Sequence, residues 1–263
     1  MSDFLQDMAT SSAARAAQAP SFKAADFDKP IVPLVPGPFG VIAEIKRRSP
    51  AEGPLDPAAE IGTSYLISRA QAYAAGGAAA ISVLTEPSRF EGELAHLEDV
   101  AAALPDTPVM RKDFLVDPVQ VLEARKAGAS GVLLIAAMLD DAKLRTMLDC
   151  AWEYGMFVLL ESFDEEDLRR SAPFLDGAGQ LLIGVNTRNL RTLEVDADRL
   201  RNLAPKLPEA ICVAESGLHE PEDAARVARW GYSMALVGTA LMRSDDPTEL
   251  VAGMTSAGAA ACS

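Results

Sequence analysis

The sequence predicts an α/β fold, a single (β/α)8 TIM barrel preceded by a short N-terminal helical arm. Three observations carry this prediction. Eight short apolar runs recur along the chain, starting between about 20 and 40 residues apart, the length of one strand plus a crossover helix and its loops. The spacers between them carry helix-boundary chemistry, Pro in the first turn and Gly just past the last. The 263 residues, 49% of them hydrophobic, suffice for one large core, and strict alternation of strand and helix implies a parallel sheet. Eight such units in about 220 residues is the count and size of a closed barrel.

Taken in order, residues 1–40 form the arm and its connector. An Ala-rich helical piece runs around Asp3 to Ala19, and a connector follows that is interrupted by Pro30, Pro33, Pro36 and Pro38. Prolines at that density continue neither a helix nor a central strand. Residues 41–263 form the barrel. Its strands are read as Val41 to Ile45, Ala80 to Leu84, Pro108 to Met110, Gly131 to Ile135, Phe157 to Leu160, Leu181 to Val185, Ile211 to Ala214 and Met234 to Val237. Between them, a helix over Tyr65 to Ala75 stops at Gly76-Gly77, and Asp117-Pro118 opens one that stops near Gly128. Asp140 to Tyr154 stops at Gly155, and Glu220-Pro221 opens one that stops at Gly231. The first strand-to-helix turn lacks G-x-G-x-x-G, which removes support for an open dinucleotide-binding sheet.

Composition bounds the function. A net charge of −14 repels nucleic acid and anionic membrane, and no basic run offsets it. No stretch of about eighteen apolar residues is present to span a bilayer, and Asp3 and Asp7 stand where a signal peptide would be basic and then hydrophobic. A cytoplasmic protein is expected. Cys150, Cys212 and Cys262 are odd in number and widely spaced, so reduced, mostly buried thiols are expected, with no metal site.

In a barrel the catalytic residues come from the C-terminal ends of several strands. Here those ends read Glu44 and Lys46, then Lys112 in Arg111-Lys112-Asp113-Phe114, then Glu161, then Asn186 and Arg188, then Glu215-Ser216-Gly217. A lysine at the tip of a buried strand is costly unless partnered or open to a cleft. Glu44, Glu161 and Glu215 are expected to face Lys112 and favour its ammonium form. The turns Ser216-Gly217-Leu218 and Gly238-Thr239-Ala240 are read as opening helical turns, whose free N–H groups suit an anion. Loops after the seventh and eighth strands are the usual phosphate site of such barrels. Arg47, Arg48 and Arg188 supply the positive field.

Together, Glu44-Ile45-Lys46-Arg47-Arg48-Ser49-Pro50, Ser82-Val83-Leu84-Thr85-Glu86, Arg111-Lys112-Asp113-Phe114, Leu133-Leu134-Ile135, Gly184-Val185-Asn186-Thr187-Arg188-Asn189-Leu190, Glu215-Ser216-Gly217 and Val237-Gly238 resemble the strand-end signatures of the indole-3-glycerol phosphate synthase family. The resemblance runs in order from about residue 41 to 247. It implies conversion of 1-(2-carboxyphenylamino)-1-deoxyribulose 5-phosphate to indole-3-glycerol phosphate in tryptophan synthesis, with no cofactor and no metal. It assigns Lys112 as the acid of ring closure, Lys46 as the carboxylate ligand and an acid in dehydration, and Glu161 as the dehydration base. Glu44, Asn186, Glu215 and Ser216 orient the lysines and the sugar hydroxyls. Ser49 and Ser82 also match substrate-binding positions. Phe90, Phe114, Leu134 and Leu190 make the slot for the anthranilate ring, and Arg188, Gly217, Gly238 and Thr239 hold the phosphate. A monomer is implied, with room for association with other tryptophan-pathway enzymes. Ala51-Glu52 and Phe163 depart from the family pattern, where Ser-Lys and His are usual, and the arm is short. Three alternatives stay open: a paralogue acting on a modified anthranilate, a different sugar-phosphate barrel enzyme (a Schiff-base aldolase or an isomerase), and a non-catalytic phosphate-binding relative.

Overall fold

The computed structural model describes residues 4–49, 53–55, 63–190 and 195–262. Its sheet is a closed parallel barrel of β1 (Gly40–Ile45), β2 (Ala80–Leu84), β3 (Val109–Lys112), β4 (Gly131–Ile135), β5 (Phe157–Ser162), β6 (Leu181–Asn186), β7 (Ile211–Glu215) and β8 (Met234–Val237). Closure comes from β1, which pairs with β2 on one side and β8 on the other. The helices fall where the boundary residues put them. Asp117 accepts a hydrogen bond from Val119 N at the start of Pro118–Ala127, Asp140 accepts from Lys143 N ahead of Asp141–Glu153, and Gly128 takes φ 102° past its helix end. Of the thiols, Cys212 is buried, Cys150 half-buried and Cys262 exposed, so the expectation of mostly buried cysteines holds fully for one.

Four strands run past their apolar stretches. Lys112, Glu161, Asn186 and Glu215 are strand residues, and the ladder carries them: Lys112 stands opposite Leu84, Glu161 opposite Ile135, and Asn186 opposite Glu215. Side chains alternate between the two faces of each strand. Val41, Ala43 and Ile45, with Ile81, Val83, Leu134, Val158, Leu160, Ile183 and Val185, pack under the helices. Ile42, Met110, Leu133, Phe157, Leu159, Leu182, Val213, Met234 and Leu236 fill the barrel interior. One further step of two along the interior face arrives at Glu44, Lys112, Glu161, Glu215 and Gly238, and on the strand of Leu182 a second step, past Gly184, arrives at Asn186. The polar mouth is therefore the top layer of the same stack whose lower layers are hydrocarbon.

The arm helix spans Phe4–Ala16 and buries Leu5, Met8 and Ser12. Its connector then crosses to the opposite end of the barrel. Val32 N donates to Ser130 Oγ (2.9 Å) and Gln180 Nε2 donates to Leu34 O (3.2 Å), both partners lying just before a strand begins. Leu34 joins the interior cluster from below. A short hairpin pairs Arg48–Ser49 with Gly53–Pro54; Ala51 and Glu52, flagged above as departures, lie outside the described residues.

Tight interior packing makes one glycine a sharp test. A β-carbon on Gly131 would run into the Phe157 ring on the adjacent strand, whereas one on Gly37 would meet only Phe39 O at 3.8 Å. Overpacking of this kind costs about 1–3 kcal/mol. Gly131→Ala is expected to lower the urea midpoint accordingly, and Gly37→Ala to leave it unchanged; equal midpoints for the two would contradict the packing described.

Candidate active site

A cavity of about 480 Å³ opens at the C-terminal ends of the strands. At its floor stands Lys112, whose Nζ lies 3.4 Å from Glu44 Oε2, 3.4 Å from Glu215 Oε2 and 3.9 Å from Glu161 Oε2. Lys46 Nζ pairs with the other oxygen of Glu44 at 2.8 Å. Asn186 Nδ2 donates to Glu161 Oε1 at 3.1 Å. The three carboxylates expected to converge on Lys112 do so. Two glycines make room for them, since a β-carbon at Gly184 would occupy the place of Glu215 Oε1, and one at Gly238 the place of Glu44 Oε1.

Charge decides the protonation states. Burial alone disfavours an ammonium, but Glu44, Glu215 and Glu161 outweigh it and hold Lys112 well above the ordinary lysine range. For Glu44, burial pushes toward the neutral acid, and Lys46 and Lys112 reverse it, bringing the carboxyl down to about 2. Three carboxylates against two lysines would leave one negative charge in excess in a water-poor place. Burial first, then repulsion from a neighbouring carboxylate (Glu44 for Glu161, Glu161 for Glu215), raises both groups, Glu215 to about 8. Glu215 therefore carries a proton at neutral pH.

Most sequence-predicted positions line the cavity: Glu44, Lys46, Ser49, Phe90, Lys112, Phe114, Glu161, Asn186, Arg188, Leu190, Ser216, Gly217, Gly238 and Thr239. Glu215 lies just beneath, fully buried against Lys112. Four positions fall elsewhere. Leu134 faces the helices, because it is one residue out of step with the interior face, and Leu133 and Ile135 line the slot in its place. Ser82 is buried and is not part of the cavity wall. Arg47 does not line the cavity and lies near His96 of the outer helix Leu94–Ala103. Arg48 is held by Glu91 at 3.0 Å. Of the three arginines only Arg188 reaches the mouth. Phe163 is buried, and its N–H donates to Asp167 Oδ2.

The two small-residue turns differ from each other. Ser216 and Gly217 both take positive φ (69° and 73°), and the helix that follows starts only at Pro221, so this turn is a loop and not a helix opening. Gly238 does cap a helical turn, Thr239–Arg243, and both turns present backbone to the cavity. Sequence reasoning missed Phe4 of the arm, whose ring meets Phe114 edge-on at 5.8 Å within the cavity wall. It missed His219 and Val195 as well. No alternation pattern reaches a residue on an arm or a loop. Among the described residues, no group of three or more His, Cys, Asp or Glu is set to hold a metal ion.

A buried lysine ringed by carboxylates at the mouth of a (β/α)8 barrel, beside small-residue turns after β7 and β8, defines a barrel enzyme of acid–base chemistry on an anionic small molecule. The comparisons narrow it. The family model for indole-3-glycerol phosphate synthase matches residues 6–254, and the chain belongs to that family. It is 50% identical over 220 residues to an indole-3-glycerol phosphate synthase of a Nocardioides species, covering 82% of this chain and 79% of the relative. It is 44% identical over 258 residues to that of Rhodococcus opacus, covering 96% and 88%. Among solved structures, 3-hexulose-6-phosphate synthase from Salmonella typhimurium shares the fold at TM-score 0.65 and 15% identity, over 85% of this chain and all of that one.

The raised Glu161–Glu215 pair has a stability signature. The folded protein keeps a proton that the unfolded chain releases above the ordinary glutamate value, so this contribution is fully present below that value and is lost as pH rises toward about 8. Glu215→Gln removes the titration. Its stability relative to wild type, from urea unfolding, is expected to climb between pH 5 and pH 8, a window of about three units. A difference that stays constant across that window would contradict the raised Glu215 carboxyl.

Proposed function

We propose that this protein is an indole-3-glycerol phosphate synthase, closing the ring of 1-(2-carboxyphenylamino)-1-deoxyribulose 5-phosphate with loss of CO2 and water. The observation that carries the reading beyond family membership is the Lys112 cluster. In the first step the carboxylate-bearing ring carbon attacks the sugar ketone, forming a carbon–carbon bond while Lys112 protonates the ketone oxygen. The ring carbon then releases CO2, and the electron pair of that bond restores aromaticity. In the last step Glu161 takes a proton from the carbon between the nitrogen and the new alcohol, and the hydroxyl leaves as water with a proton from a lysine. Of the two protons the lysines give, one is recovered through Glu161 and one is taken up from solvent, and with that proton atoms and charge balance.

Each group suits its part. A positioned acid must be charged before the alkoxide develops, and the three carboxylates keep Lys112 so. Lys46, at 15% side-chain exposure, suits a partner for the substrate carboxylate. Burial raises the proton affinity of Glu161, which strengthens it as a base, and Asn186 fixes its orientation. Phe90, Phe114, Leu133, Ile135 and Leu190 offer the ring an apolar slot, and Arg188 with the backbone of Gly217, Gly238 and Thr239 suits the phosphate. A Schiff-base lysine would have to be neutral to attack, and the surroundings of Lys112 drive it the other way. Within this reading the reaction belongs to tryptophan synthesis in the cytoplasm. A single chain suffices, since its own strands, loops and helices supply every named group.

The test is direct. Wild-type protein given this substrate should produce the fluorescence of the indole product. Lys112→Met should cut kcat by about 10²- to 10⁴-fold, the usual contribution of a general acid, with an unchanged circular dichroism spectrum. Wild-type turnover in that variant would remove Lys112 from the mechanism.

A further inference from the structure

The residue after Lys112 is tied to a part of the chain more than ninety residues away. The Asp113 side chain is fully shielded from solvent. It accepts from Arg111 Nη2 (3.0 Å), Thr85 Oγ1 (2.9 Å) and its neighbour Phe114 N (2.8 Å). Both of its oxygens also accept from the arm: Arg15 Nη1 donates to Oδ2 at 2.8 Å and Nη2 to Oδ1 at 2.7 Å. This two-point geometry is specific to a guanidinium. Arg111 cannot serve Asp113 alone, because its Nη1 is also drawn to Glu123 at 3.1 Å. Two arginines thus balance two carboxylates, and one of the two arrives on the arm.

The arm helix converts that clamp into geometry at the cavity. Phe4, Met8, Ser12 and Arg15 recur at intervals of four, four and three, which puts them on one face of the helix. Ser12 Oγ accepts from Gln120 Nε2 at 2.8 Å, Met8 is buried, and Phe4 meets Phe114 in the cavity wall. A helix fixed at Arg15 therefore fixes Phe4 about 16 Å away along its axis. We infer that Arg15 is a positioning residue, which clamps the arm to the carboxylate following Lys112 and so holds Phe4 in the wall that receives the substrate's ring.

This inference rests on the proposed reaction for the identity of the ring, and its test separates the two. The variants are Arg15→Met, which keeps the stem and removes the charge, Arg15→Lys, Phe4→Ala, and the double variant Arg15→Met/Phe4→Ala. Hydrogen exchange of residues 4–16, read by mass spectrometry, needs no substrate. It should be faster in Arg15→Met than in wild type, and Arg15→Lys should fall between. In turnover, Arg15→Met should raise KM by about tenfold, the size of an aromatic wall contact, with kcat within about twofold. Phe4→Ala should add little in the Arg15→Met background. Unchanged exchange of the arm, or fully additive KM effects of the two substitutions, would overturn the inference. Failure of the wild type to turn over the substrate would count against the proposed reaction alone, and the exchange rates would still decide the clamp.

Discussion

An ammonium group buried at the centre of a barrel mouth is the constraint on which the rest of the site depends. Taken out of water without partners, such a charge costs several kcal/mol or more, and it persists only where anions from other strands reach it. Lys112 has three, each from a different strand at the same height. Their combined charge overshoots, and the remainder of the site corrects it: Lys46 takes the second oxygen of Glu44, Asn186 donates to Glu161, and Glu215 keeps a proton at neutral pH. The same electrostatics that makes the cluster tolerable sets its chemistry, a charged acid beside a carboxylate of raised proton affinity.

The fold was legible because its signals are periodic. Apolar runs closed by charges, and helices bounded by Pro and Gly, located all eight strands, with one-residue differences at the starts of β1 and β3 and the larger errors at C-terminal ends. There the ladder continues through Lys112, Glu161, Asn186 and Glu215, since polar side chains that satisfy one another need not end a strand. Alternation along the strands would have corrected one further assignment. Leu133 and Ile135 share the parity of the interior face and Leu134 does not, which is why Leu134 lies outside the slot it was expected to line.

What the sequence could not supply is contact between segments far apart in the chain. Arg47 and Arg48 look like part of a phosphate site when read beside Lys46. Arg47 lies near His96 and does not line the cavity, and Arg48 pairs with Glu91. Phe4 and Arg15 carry no periodic signal that ties them to the barrel, yet they meet Phe114 and Asp113, the two residues that follow Lys112. The arm, the ring slot and the acid are joined through residues 112–114.

The central claim is that Lys112 is an ammonium throughout the working pH range because three glutamates surround it. With lysines labelled at Cε, the Lys112 resonance, identified by its loss on replacing that residue, can be followed by NMR from pH 7 to 11. The account predicts that it stays at the protonated position while ordinary lysines titrate near about 10.4. A midpoint for Lys112 at or below that of the ordinary lysines, about 10.4, would contradict it.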